Sequence, residues 1–281
     1  MSSLLFYLLS IYLLACVIIL ALCFRSVYAH QRLGISYPKL TLQGFWRIHL
    51  EAMTSSAKLV WWALTKHDKK DPIKISKNHR PYILCVHGFY MNGSCFYGLR
   101  KTLSAQGFDS WGIDMGKPYI APQVYVERYA QAIQEIIRID PERKIVVVAH
   151  SMGGLITRLV LQRHPELAPH IGLVITLGSP HLGTASVTRF ALTWTRKMFY
   201  SKGNFITNLP SFEELIPSTK VITIASKQDL IVYPYTFSHL PGTQAIDLEW
   251  ISHGGLLTKQ DCQAMVVDLL DQEADTIGDR F

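Results

Sequence analysis

Cysteine is scarce, with five in 281 residues. There is no C-x-x-C pair and no Cys/His grouping at ligand spacing, which argues against a structural zinc site or a redox dithiol. Cys16 and Cys23 fall in an apolar N-terminal run, while Cys85, Cys95 and Cys262 stand far apart, a usage that fits a reducing compartment. Charge is also low, 17% against 49% hydrophobic residues, so a chain of this length can bury one sizeable core plus an appendage. Neither an internal repeat nor a low-complexity tract occurs. No RNA- or DNA-binding motif accompanies the basic residues, so nucleic acid is not an expected partner.

The N-terminal run lacks charge altogether. Leu4 to Phe24 is 21 residues without a charged side chain, and as a helix it reaches roughly 31 Å, the thickness of a bilayer's hydrocarbon core. No Lys or Arg precedes it and Val27-Tyr28-Ala29 is a poor cleavage site, which disfavours a cleaved signal peptide. A buried core helix is rarely so uniformly apolar. The expectation is a transmembrane anchor over 1–24. Arg25 to Arg80 then carries eleven Lys or Arg against three acids, whereas Pro81 onward carries 17 against 18. A basic cluster beside a span is retained on the cytoplasmic side and attracted to anionic lipid, so the rest of the chain is expected in the cytoplasm. Within this 25–80 segment, Leu42, Phe45, Trp46, His49, Leu50, Met53, Ala57, Val60, Trp61 and Leu64 recur at helical spacing, with Arg47, Glu51 and Lys58 elsewhere. This predicts an amphipathic helix or broken pair over Thr41–Lys66, whose apolar face meets either a membrane surface or the following domain. Lys66–Arg80 reads as a linker.

From Pro81 to Phe281, short apolar runs alternate with helical patterns, which predicts an α/β domain with a mostly parallel sheet. The strand candidates are Tyr82–Val86, Asp109–Ile113, Lys144–Ala149, Gly172–Leu177, Lys220–Ala225 and Thr243–Leu248. Helices are expected near Phe96–Gln106, Tyr125–Ile139, Met152–Arg163 and Thr258–Leu270. The third strand runs into Ala149-His150-Ser151-Met152-Gly153. A serine at the apex of so tight a strand-to-helix turn needs small residues two before and two after it, here Ala149 and Gly153. Its Oγ stands above the sheet over a helix N-terminus that favours negative charge.

This is the nucleophile elbow G-x-S-x-G with alanine in the first position, and here the sequence resembles the α/β-hydrolase superfamily. The turn Val86-His87-Gly88-Phe89-Tyr90 after the first strand resembles the oxyanion loop of lipases, and Ile175-Thr176-Leu177-Gly178-Ser179-Pro180-His181 resembles the lipase sequence after the fourth. Ser226-Lys227-Gln228-Asp229-Leu230-Ile231-Val232-Tyr233-Pro234 resembles the superfamily's acid loop, and Ser252-His253-Gly254-Gly255 follows the last strand. The resemblance covers about Pro81 to Leu270 and is nearest to bacterial membrane-anchored triacylglycerol lipases and esterases.

The resemblance implies an α/β-hydrolase fold with a six-stranded sheet, Ser151 as nucleophile, Asp229 as acid and His253 as base, in the order this fold uses. The backbone N–H groups of Phe89 and Met152 are the implied oxyanion donors. His239 also follows Asp229 but precedes the last strand. His87 and His181 are expected to be structural, or in the case of His181 to line the substrate. No cofactor or metal is expected. Ala185–Pro217 has no strand signal and mixes Phe190, Leu192, Trp194, Met198, Phe199, Tyr200 and Phe205 with Arg189, Arg196, Lys197 and Lys202, which suits a cap or a peripheral helix pair. The implied activity is acyl-ester hydrolysis on a lipid substrate at the bacterial inner membrane. An acyltransferase, a thioesterase or a phospholipase using the same residues is the alternative.

Overall fold

The apolar runs form six strands in the computed structural model: Tyr82–Val86 (β1), Ser110–Gly112 (β2), Ile145–His150 (β3), Ile171–Leu177 (β4), Lys220–Ser226 (β5) and Gln244–Leu248 (β6). The structure describes residues 2–66, 73, 75, 76, 80–117, 120–187 and 198–279. Every strand boundary lies within one residue of its expected place. The strands make a single sheet in the order β2-β1-β3-β4-β5-β6, and each neighbouring pair is parallel. A parallel sheet needs helices on both faces, and the helices are Ser2–Arg32 (α1), Leu42–Thr65 (α2), Tyr97–Ala105 (α3), Pro122–Ile139 (α4), Met152–Arg163 (α5), Asn204–Thr207 (α6), Phe212–Leu215 (α7), Gly255–Thr258 (α8) and Gln260–Asp279 (α9). The last two replace the single helix expected over Thr258–Leu270.

Side chains alternate across the sheet as the two-residue period of a strand requires. Tyr82, Leu84, Val86, Val147 and Ala149 pack with residues of α4 and α5, among them Tyr129, Ile133 and Leu155. Ile83, Cys85, Val146, Val148 and Ile175 pack on the opposite face with Leu99 and Leu103 of α3 and Val266 and Leu270 of α9. Each such aliphatic side chain, fully withdrawn from water, contributes roughly 1.5–3 kcal/mol. Local chemistry starts the helices: Pro122 opens α4, Thr41 Oγ1 accepts from Gly44 N at 3.0 Å to cap α2, and Ser211 and Glu214 form a capping box on α7. Arg158 of α5 is buried and donates to the carbonyls of His181, Leu209 and Pro210, which ties α5 to the chain that precedes α7. Burial lowers its guanidinium to about 10.

The N-terminal third departs from the sequence reading in two respects. The first helix continues eight residues past Phe24, and within it Tyr12–Arg32 is long and apolar enough to cross a membrane, with mean hydropathy 2.1. α2, the single helix of the two forms expected, lies on the domain with part of its polar face inward. Glu51 and Ser55 are buried while Leu42, Trp46, Leu50, Val60, Trp61 and Leu64 are exposed. Glu51 and Ser55 meet hydrogen-bonding partners in the domain, and Phe45 and Ile48 are buried beside them. In the 185–217 segment, α6 and α7 are single turns. Met198 is buried in the main core and Phe205 packs against it. Phe190, Leu192, Trp194, Arg189, Arg196 and Lys197 lie outside the described residues, as does most of Lys66–Arg80.

Candidate active site

β3 ends at His150, and Ser151 turns the chain into α5 with φ 55° and ψ −124°. This left-handed conformation costs a non-glycine residue about 1–3 kcal/mol and persists only where the surroundings impose it. The surroundings here are steric: a Cβ on Gly153 would run into the Val86 carbonyl oxygen, so the helix can start this close to β1 only with glycine there. Ser151 N donates to Leu177 O at 2.9 Å, which fastens the apex to β4. The loop after β1 comes equally near, since a Cβ on Gly88 would sit 2.8 Å from that of Ser151. Phe89 follows Gly88 and lines the cavity, and Met152 is the buried first residue of α5. The two expected oxyanion donors therefore belong to the segments on either side of the serine.

Asp229 sits in the loop after β5 and is 2% exposed. Its Oδ1 accepts from Ile231 N at 2.8 Å and Val232 N at 2.9 Å, and its Oδ2 accepts from His253 Nδ1 at 2.6 Å. Nδ1 thus carries the proton and Nε2 presents a lone pair. His253 and Ser151 line one cavity of about 880 Å³, in the upper range for ligand pockets. All these groups come from loops at the carboxyl ends of parallel strands, where open α/β sheets bind ligands. Among the described residues no group of three or more His, Cys, Asp or Glu is placed to hold a metal.

The other histidines have different surroundings. His87 Nδ1 donates to Gly88 O at 2.8 Å and its Nε2 accepts from Met115 N at 3.0 Å, so it braces the loop after β1. His181 is buried with Nε2 3.1 Å from Thr176 Oγ1, and burial pushes its pKa well below the ordinary imidazole value. It packs on Phe212 and does not line the cavity. His239 lies between Thr223 Oγ1 at 2.7 Å and Asp247 Oδ1 at 2.9 Å, also away from the cavity.

Four residues with no expected role hold the loop that carries His253. His150 donates from Nε2 to His253 O at 3.0 Å and is kept neutral by burial, then by the neighbouring imidazole. Glu51 reaches in from α2, where Oε2 accepts from Ser252 N at 2.5 Å and Oε1 from Ser55 Oγ at 2.7 Å. Gln228 Oε1 accepts from Trp250 N and Ser226 Oγ donates to Ile251 O, so four consecutive residues of this loop are each fastened from another element. The only sequence signal for Glu51 was a lone carboxylate in a basic helix, which ordinarily marks a solvated face. Glu51 thus fastens the residue before His253, which fits a positioning role should His253 act as a base. Glu51→Ala leaves Ser252 N–H buried and unpaired, at about 1–3 kcal/mol, and a base displaced by 1 Å loses up to about a hundredfold in rate. The expected result is a fall in kcat of at least tenfold with little change in KM, largely rescued in Glu51→Gln, which keeps the acceptor. Equal losses in the two variants would contradict the positioning role.

Residues 81–216 match a family model described as the alpha/beta hydrolase fold. Lipase B of Aspergillus fumigatus superposes with a TM-score of 0.60 at 20% identity, covering 74% of this chain and 59% of that one. The mature form of the lipase BlEst2 of Bacillus licheniformis gives 0.55 at 21% identity, covering 71% and 96%. At such identities the likeness speaks for the fold. Curated relatives match over shorter stretches: polyneuridine aldehyde esterase of Rauvolfia serpentina is 27% identical over 97 residues, 32% of this chain and 36% of that protein. Lysophospholipase L2 of Escherichia coli is 42% identical over 62 residues, 20% of this chain and 18% of that protein. The matched stretches thus span about a fifth to a third of these relatives' length.

Proposed function

We propose, from the premise that this chain is an α/β hydrolase by fold, that it is a serine carboxylic-ester hydrolase acting on acyl esters of lipids. The observation that carries the reading is the 2.6 Å contact between His253 Nδ1 and Asp229 Oδ2, on a histidine that shares its cavity with a serine in an elbow conformation. Nucleophilic serine needs a base with a free lone pair and an acid that fixes the tautomer. In the reaction, Ser151 Oγ bonds to the ester carbonyl carbon while its proton passes to His253 Nε2. The negative charge that develops on the carbonyl oxygen falls to the N–H groups of Phe89 and Met152. Collapse breaks the ester C–O bond, His253 protonates the departing alcohol, and an acyl-Ser151 remains. Water activated by His253 then releases the carboxylic acid. Asp229 keeps Nδ1 protonated throughout and stabilises the transient imidazolium.

On the same reading, residues 1–24 anchor the protein in the bacterial inner membrane, 25–80 join anchor to catalytic domain 81–281 in the cytoplasm, and 185–217 cap the site. The apolar character of α1 and the basic excess after it support this orientation. A reporter fused after Phe281 should be active only in the cytoplasm, and activity outside would reverse the topology.

The function is tested by turnover of p-nitrophenyl esters with product analysis. The expected result is a burst of p-nitrophenolate equal to the enzyme present, followed by steady release of free acid, the mark of an acyl-enzyme. Product appearing only on an added alcohol or amine would assign the residues to an acyltransferase. No turnover of any ester would end the hydrolase reading.

A further inference from the structure

The first two helices do more than lead up to the domain. The inner side of α1 is built in: Cys23 is buried with Ile48 of α2 and Leu230 of the acid loop, and His30 Nε2 accepts from Tyr235 N. Its outer side carries Leu13, Leu14, Val17, Ile18 and Phe24 at 51–63% exposure, and α2 beside it exposes Leu42, Leu50, Val60, Trp61 and Leu64. A helix facing water turns its polar stripe outward, whereas α2 buries Glu51 and Ser55 beside Phe45 and Ile48 and leaves large apolar side chains outside, so much of the outer surface of the pair matches hydrocarbon. Its length and hydropathy make the bilayer the occupant of that surface.

The same pair walls the catalytic cavity. Ile19, Leu22 and Arg25 of α1, with Met53 and Leu59 of α2, line it together with Ser151 and His253. Arg25 is the first charge after the apolar run, so its long side chain marks the headgroup boundary. Ile19 lies six positions before it, about 9 Å deeper along the helix. The cavity that holds the serine is therefore walled partly by residues at hydrocarbon depth. Arg25 is also the only Lys or Arg among the described residues lining it.

We propose that the substrate is an anionic acyl-ester lipid resident in the bilayer, which enters the cavity sideways along the wall formed by α1 and α2. Its acyl chain lies against Ile19, Leu22, Met53 and Leu59, and its headgroup anion pairs with Arg25. The inference rests on the serine-hydrolase reading and adds the route and the substrate class. A water-borne ester has no need of a wall from a membrane helix, whereas a lipid taken this way keeps its chain out of water from bilayer to active site.

The test uses the full chain in phosphatidylglycerol vesicles and a hexadecyl fluorophosphonate with a diazirine at the chain end. Ser151 Oγ bonds to phosphorus, fluoride leaves and the serine proton passes to His253; light then joins the chain end to its nearest neighbour. Cross-links in α1 or α2 are the expected result, and cross-links confined to α4, α5 or the 198–216 segment overturn the proposal. Absence of labelling at Ser151 counts instead against the hydrolase reading. Leu22→Trp should lower the kcat/KM ratio of p-nitrophenyl palmitate to butyrate at least about tenfold, a loss of roughly 1.4 kcal/mol for the long chain alone, and an unchanged ratio overturns the acyl wall. Arg25→Gln should reduce the preference for phosphatidylglycerol over diacylglycerol by a similar factor, and an unchanged preference overturns the anion site.

Discussion

Ser151→Ala will lower ester turnover by about 10⁴-fold or more while leaving the protein folded. On the proposed mechanism, removing one oxygen deletes the atom that bonds to the carbonyl carbon, and rates that survive loss of a nucleophile come from oxyanion stabilisation and binding alone. The fold should tolerate the change. Alanine retains the Cβ already accommodated at φ 55°, and the backbone bond from residue 151 to Leu177 does not involve the side chain. Turnover of p-nitrophenyl butyrate by the purified variant, with Tm as the control, is the measurement. A folded variant keeping a tenth of wild-type activity would remove Ser151 from the mechanism.

Asp229→Asn should cost roughly 10³–10⁴-fold in kcat, for a reason the geometry makes specific. Oδ1 accepts two backbone N–H groups, so the asparagine amide must place its oxygen there. Its NH₂ group then faces His253 Nδ1, which has to accept. The proton moves to Nε2, and the imidazole that faces the cavity becomes a donor unable to take the serine proton. The backbone bonds survive the exchange, so Tm should move little while kcat and the rate of fluorophosphonate labelling fall together. A variant with near wild-type kcat would show that the orientation of His253 does not depend on the carboxylate.

The sheet was legible because its signal is local. β3 and β4 read as continuous apolar runs since helices cover both their faces, and each ends at a glycine- or serine-bearing turn that no strand can continue through. The strands came within a residue of their observed limits for that reason. Ser151, Asp229 and His253 were legible as candidates because each follows a strand end in a short motif, and their gathering at one end of the sheet follows from the shared direction of β3, β5 and β6. Glu51 and His150 were not legible in their roles. His150 looked like filler within the elbow motif, although its imidazole reaches the His253 carbonyl 103 residues away. Periodicity assigned Glu51 to the polar side of an amphipathic helix correctly, but it does not say which side faces the protein.

By itself the sequence determined the six strands and the elbow, as well as the apolar length of the first helix and the charge that follows it, because each depends on neighbours within a turn or two of chain. Only the tertiary structure decided that α2 sits with Glu51 inward and Trp46 and Trp61 outward, that the His253 loop is fastened at four consecutive residues, and that α1 walls the cavity shared by Ser151 and His253. The physical reason is that a helix is oriented by the sum of contacts on every side. Phe45, Ile48 and Glu51 all find partners in the protein, Glu51 on a backbone N–H 201 residues away, while the exposed apolar stripe is one that a bilayer can receive as readily as a protein core.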